Sequence, residues 1–217
     1  GSNTDQTTPQ LVDLGVGRTA VSVSLGYQHT CAVLDDGSLK CWGRNNQGQL
    51  GIGCPSFLCA EVNTPQLVNN LEPAVSVSLG YQHTCAIIDD GNLKCWGSNS
   101  LGQLGTGSIT TQTTPQLVDL GIGITAVSVS LGYFHTCAIV NDSSLKCWGR
   151  NQYGQLGIGS NTDQTTPQLV DLGPVLTAVS VSYGQYHTCG ILDSGSLKCW
   201  GSNVYGQLGT GSTTNSN

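Results

Sequence analysis

Apolar and small polar residues alternate through Ala20-Val21-Ser22-Val23-Ser24, the period of two that sets one face of an extended strand against a core. The run returns at residues 74–78, 126–130 and 178–182. Each copy is followed by a second short segment (HTCAVL at 29–34 in the first), then SLKCWG, a glycine-rich crossover ending GQLGxG, and TPQLV. No stretch combines a helical apolar period with helix caps. Four short strands per unit is the inventory of one propeller blade. The pattern therefore predicts an all-β protein of β-propeller-type blades, four repeats of four short antiparallel strands.

Aligning on His-Thr-Cys places Cys31, Cys85, Cys137 and Cys189 at spacings of 54, 52 and 52. A period near 50 over the whole chain means a propeller or an array of stacked units. The units run at about 1–52, 53–106, 107–158 and 159–210, and residues 211–217 begin another period. The TPQLV at 8–12 has no unit before it. Ends permuted in this way allow the first strand to complete the last blade of its own chain, closing a ring. They equally allow it to complete the last blade of a neighbour, building a filament, or mark a piece of a longer array.

Composition narrows the partners. Thirty glycines, no methionine and 9% charged residues suit turns and short strands. Net charge is −6, with 7 basic residues against 13 acidic and no basic cluster, so a phosphate-binding face is absent and nucleic acid is not an expected partner. No apolar run is long enough to span a bilayer, which excludes membrane insertion by a helix. No basic and apolar leader opens the sequence, which predicts that any signal peptide has been removed or omitted.

Asp35-Asp36-Gly37 suits a three-residue hairpin loop with glycine in the left-handed conformation. Pairing then runs 34 with 38, 33 with 39, 32 with 40 and 31 with 41, so Cys31 faces Cys41 within disulfide reach. The same register applies to Cys85 and Cys95, Cys137 and Cys147, and Cys189 and Cys199. Ser143 stands where the third hairpin needs glycine, which predicts a strained turn. Cys54 and Cys59 bracket a crossover longer than its counterparts and read as a fifth local pair. Five such pairs imply an oxidising compartment, secreted or at the cell surface. A zinc reading would join His29, Cys31 and Cys41 but finds no fourth ligand, and no CxxC marks a redox exchange site. No metal or other cofactor is expected.

Taken together, His-Thr-x-Ala, the Asp-Gly turn, Trp-Gly and Gly-Gln-Leu-Gly resemble the repeat of the regulator of chromosome condensation (RCC1-like) family, and the resemblance covers all four units. It implies four strands per repeat in a β-propeller, usually with seven blades, a ring that four units cannot make from one chain. The first cysteine of each pair takes what looks like an apolar core position of that repeat and the second a small-residue position, as in a secreted relative with disulfides inside its blades. The founding member's nucleotide exchange and chromatin binding rely on a protruding wedge and a basic tail. Neither is present here, so that activity is not implied.

No GxSxG, GxxxxGK[ST] or HExxH occurs, and no enzymatic activity is expected. His29, His83, His135 and His187 recur at one repeat position and read as hydrogen-bonding groups inside the blades. Trp42, Trp96, Trp148 and Trp200 read as packing surfaces between blades. A meander brings the Gly-Tyr turns and the crossovers to one end, where Tyr27, Tyr81, Tyr133, Tyr186, Arg44, Arg150, Tyr153 and Tyr205 form a candidate face for a glycan or surface protein. Phe57 and Leu58, pinched between Cys54 and Cys59, form a candidate contact loop. Asn141-Asp142-Ser143 is a glycosylation sequon in an exposed turn. The expected function is an extracellular structural protein that self-assembles into an oligomer or filament by strand exchange between chain ends. The alternative is a binding module working through the tyrosine face.

Overall fold

A computed structural model describes residues 3–54 and 58–216. Its strands form four antiparallel sheets, each a blade. Blade 1 holds β1 (Ala20–Leu25), β2 (His29–Leu34), β3 (Leu39–Arg44) and β4 (Glu61–Leu67). Blade 2 holds β5 (Ala74–Leu79), β6 (His83–Ile88), β7 (Leu93–Gly97) and β8 (Gln112–Leu117). Blade 3 holds β9 (Ala126–Leu131), β10 (His135–Val140), β11 (Leu145–Gly149) and β12 (Gln164–Leu169). Blade 4 has three strands, β13 (Ala178–Tyr183), β14 (His187–Leu192) and β15 (Leu197–Gly201). No helix among the described residues is long and apolar enough to cross a membrane.

The outer strand of each complete blade comes from the TPQL of the following sequence unit, so the blades are offset from the sequence period. This explains the difference at blade 4, where four strands were expected. Among the described residues its outer position holds only a bridge between Gly201 and Ser216, and residues 8–12 lie outside any strand.

The hairpin register is local and follows the turn. Cys31 pairs with Cys41, Ala32 with Lys40 and Val33 with Leu39, and the Leu34 amide donates to the Ser38 carbonyl at 2.8 Å. Each hairpin cysteine pair stands 4.1 Å apart at Cα and is joined as a disulfide, and Cys54 is bonded to Cys59. The turn glycines Gly37, Gly91 and Gly195 have φ between 78° and 82°, and Ser143 is held at 65° in their place. Substituting Ser143→Gly is therefore expected to stabilise the fold by about 1 kcal/mol. Denaturant titration measures this, and an unchanged midpoint would show that the serine is not strained.

The core is not one central mass. It divides into three clusters, each lying between two blades. In the first, Cys31, Val33, Leu39 and Cys41 of blade 1 meet Ala74, Leu79, Ala86 and Trp96 of blade 2. Matching sets recur at the next two junctions, around Trp148 and Trp200, with Tyr183 in the leucine position and Gly190 in the alanine position of blade 4. The disulfides are thus part of the apolar face that each tryptophan covers.

Candidate binding face

The turn joining the first two strands of each blade is built on a glycine and a histidine, which is buried in blades 1 to 3 and half-buried in blade 4. The Gly26 amide donates to the His29 carbonyl at 2.9 Å, and Gly80, Gly132 and Gly184 repeat the bond. A Cβ added at Gly80 would lie 2.3 Å from the His83 ring, so the ring itself demands glycine here. Thr84 Oγ1 donates to the Gln49 carbonyl at 2.8 Å. Its oxygen must then accept from His29 Nε2, 2.9 Å away, which fixes the neutral tautomer with the proton on Nε2. The chain continues from His83 to Thr136 and from His135 to Thr188. In all three rings Nδ1 is buried with no partner. Desolvation pushes the His29 pKa down to about 4 and those of His83 and His135 to about 3.

This frame carries the tyrosines. The Tyr27 amide reaches the Gly80 carbonyl of the next blade at 3.4 Å, so successive turns overlap along the inner rim. Ring centroids of Tyr27 and Tyr81 lie 4.5 Å apart, and Tyr81 stacks on Tyr133 at 3.8 Å. Phe134 stands edge-on to Tyr133 at 4.6 Å, and Tyr186 meets Tyr153 at 5.2 Å. The Arg150 guanidinium bridges the two groups, 5.5 Å from the Phe134 ring and 5.2 Å from that of Tyr186. A hydrogen bond with Tyr81, backed by burial and the neighbouring phenols, pushes the Tyr133 pKa up to about 12. That hydroxyl stays neutral through the physiological range.

The structure therefore brings together Tyr27, Tyr81, Tyr133, Tyr186, Tyr153 and Arg150. It separates Arg44, whose guanidinium hydrogen-bonds Gln28, and Tyr205, which is 92% exposed and outside these ring contacts. One substitution explains the split. Gln28 of blade 1 corresponds to Phe134 of blade 3, so the arginine that meets an amide in one blade meets a ring in the other. Phe134, adjacent to Tyr133 in sequence, belongs to the same row of rings. Tyr186 shares the Phe134 position rather than that of Tyr27, which sets it further from Tyr133, at 6.5 Å.

Other candidates lie elsewhere. Leu58 is 71% exposed, and Phe57 falls outside the described residues. Asn141 is exposed and donates from Nδ2 to the Gly123 carbonyl at 3.1 Å. At the opposite end from the tyrosines, Arg18 pairs with Asp35 and Asp36. Among the described residues no three His, Cys, Asp or Glu side chains converge as metal ligands. The hairpin sulfurs are spent on disulfides.

Comparison with known proteins places this geometry. The profile of the RCC1-like domain matches residues 1–217. The ultraviolet-B receptor UVR8 of Arabidopsis thaliana is 32% identical over 219 residues, covering 100% of this chain and 49% of the receptor. The probable E3 ubiquitin-protein ligase HERC4 of Homo sapiens is 33% identical over 200 residues, 90% of this chain and 18% of the ligase. The chain thus spans about half of one relative and under a fifth of the other. Yeast RCC1 (Prp20), solved bound to Kap60, superposes with a TM-score of 0.86 at 22% identity, covering 98% of this chain and 50% of that one. The ectodomain of the Physcomitrella patens receptor kinase CR4 shares the fold at a TM-score of 0.52 and 22% identity, over 84% of this chain and 39% of that chain.

Proposed function

We propose that this chain, which belongs to the RCC1-like domain family, is a non-catalytic binding module that grips an extracellular protein or glycan through the aromatic arc of its inner rim. The supporting observation is continuity: Tyr27, Tyr81, Tyr133, Phe134, Tyr153 and Tyr186 form an unbroken series of ring contacts drawn from all four blades. Rings locked by one another offer broad contact area at little entropic cost, and phenol hydroxyls add direction. Five disulfides favour an oxidising compartment, and a receptor-kinase ectodomain uses the same fold. Light reception and ubiquitin ligation belong to the longer relatives and are not proposed here.

The test combines Tyr27→Ala, Tyr81→Ala and Tyr133→Ala in one variant, screened beside the parent on a glycan array and on immobilised cell-surface protein extract. Binding by the parent should fall about tenfold or more, the scale of losing central aromatic anchors, with far-UV circular dichroism unchanged. Equal binding by the two proteins would remove the rim as the site.

A second reading, a structural unit that assembles by strand exchange, has its own support. Residues 3–15 repeat the sequence of residues 161–173 without a change, and in that second copy Gln164–Leu169 is the outer strand of blade 3. The first copy is thus a ready outer strand for another blade. Particles of a single chain only, seen by electron microscopy, would count against it.

A further inference from the structure

Every disulfide of this fold is local. Four join the two strands of one hairpin, and the fifth closes the crossover between Cys54 and Cys59. None ties one blade to the next. At the junction of blades 2 and 3, two phenols from different blades meet face to face. Tyr81 follows β5 and Tyr133 follows β9, at the same repeat position. Their ring centroids lie 3.8 Å apart with an interplanar angle of 21°.

The hydroxyls set the orientation of this stack. Tyr81 and Tyr133 share a hydrogen bond, so the rings lie in register and the Cε carbons beside each hydroxyl face those of the other ring. The remaining tyrosine contacts are of a different kind. Tyr27 is tilted by 40° to Tyr81 at 4.5 Å, Tyr186 by 53° to Tyr133 at 6.5 Å, and Tyr153 stands edge-on to Tyr186. Below the stack, the Gly80 and Gly132 amides donate to the His83 and His135 carbonyls, which fixes both turns. Both rings are half-buried and border an open depression of the inner rim. The pair is thus held from beneath and open to small solutes on one side.

We propose that Tyr81 and Tyr133 form a cross-linking site, where one-electron oxidation joins the two phenols as dityrosine and staples blade 2 to blade 3. The oxidant is hydrogen peroxide, used through a haem peroxidase. Each phenol gives up one electron and its hydroxyl proton, which leaves two phenoxyl radicals. A Cε–Cε bond forms between them, and each ring passes its Cε hydrogen to its own oxygen to restore the phenol. The two electrons and two protons released convert one peroxide to two waters. Rings already in contact need no diffusive encounter, which favours this pair over the separated ones. The new bond closes a loop of one full repeat and restricts the unfolded chain as a disulfide does. Five disulfides favour an oxidising compartment, where such an oxidant acts.

Treating the unreduced, dilute protein with a haem peroxidase and hydrogen peroxide tests this. The expected product shows dityrosine fluorescence and keeps the 22.6 kDa single-chain mass on a denaturing gel. Its digest should hold the peptides of Tyr81 and Tyr133 joined, lighter than their sum by the two hydrogens lost. Tyr81→Phe and, separately, Tyr133→Phe should each abolish that link with far-UV circular dichroism unchanged, and Tyr27→Phe should leave it. The oxidised parent should also unfold at higher urea than the oxidised Tyr81→Phe variant, each compared with its untreated form. No joined peptide, or links found only between chains or through Tyr27 or Tyr205, overturns the site. A Tyr81–Tyr133 link that leaves the urea midpoint unchanged overturns the staple.

Discussion

Truncating Trp148 to alanine is expected to destabilise the protein by about 3–5 kcal/mol, the range for removing a large aromatic side chain from a packed core. Trp148 is fully buried between blades 2 and 3, against Cys85, Leu93, Cys95 and Leu104. Its Nε1 donates to the Gln103 carbonyl at 3.0 Å, so the substitution also leaves that buried acceptor with the Thr136 hydroxyl alone. The junction is rigid on the other side too, since a Cβ at Gly105 would lie 2.6 Å from the indole. Collapse into the cavity is therefore restricted. Equilibrium urea unfolding gives the number, with Tyr205→Ala as a surface control expected within about 0.5 kcal/mol of the parent. A loss under 1 kcal/mol at Trp148 would mean that the interblade clusters are not the stabilising core.

Acid is expected to act at least as strongly through a different set of groups. His29, His83 and His135 are neutral in the fold, with pKa values held at about 4, 3 and 3 by burial. In the unfolded chain imidazole takes up its proton near pH 6.5. Between those values the unfolded state binds more protons, so stability is fully present above about pH 6.5 and falls as pH drops toward 4. Each histidine should cost about 3 kcal/mol by pH 4. The lowered carboxyls of Asp36, Glu72 and Asp142 are solvent-exposed and add little in that window. Thermal melts at fixed ionic strength from pH 8 to 4 would show the slope, and His83→Gln should make it shallower. A melting temperature that stays flat down to pH 4 would contradict the buried, singly hydrogen-bonded rings.

Some of this was legible because it is local. The period-two runs specify strands wherever they occur, and ten-residue cysteine spacing across a three-residue turn leaves one register. Thus β2 and β3, their disulfide and the strain at Ser143 follow from a stretch of about fifteen residues. Assigning the histidines to the inside of a blade was incomplete: His29, His83 and His135 each reach across to a threonine of the next blade, 53 to 55 residues away. The aromatic face was legible as a set of residues at one end but not as a site. Arg44 and Arg150 occupy the same repeat position, and only the neighbour contributed by the adjoining turn separates a guanidinium on an amide from one between two rings.

By itself, then, the sequence determined the hairpin: its two strands, their register and their cysteine pair, all set by contacts within one repeat. The tertiary structure decided how units meet. That choice rests on side chains roughly one period apart in sequence, which come together only when blade packs on blade, and no periodicity encodes it. The shared Gln49 carbonyl and the continuous row of rings both arise at that level.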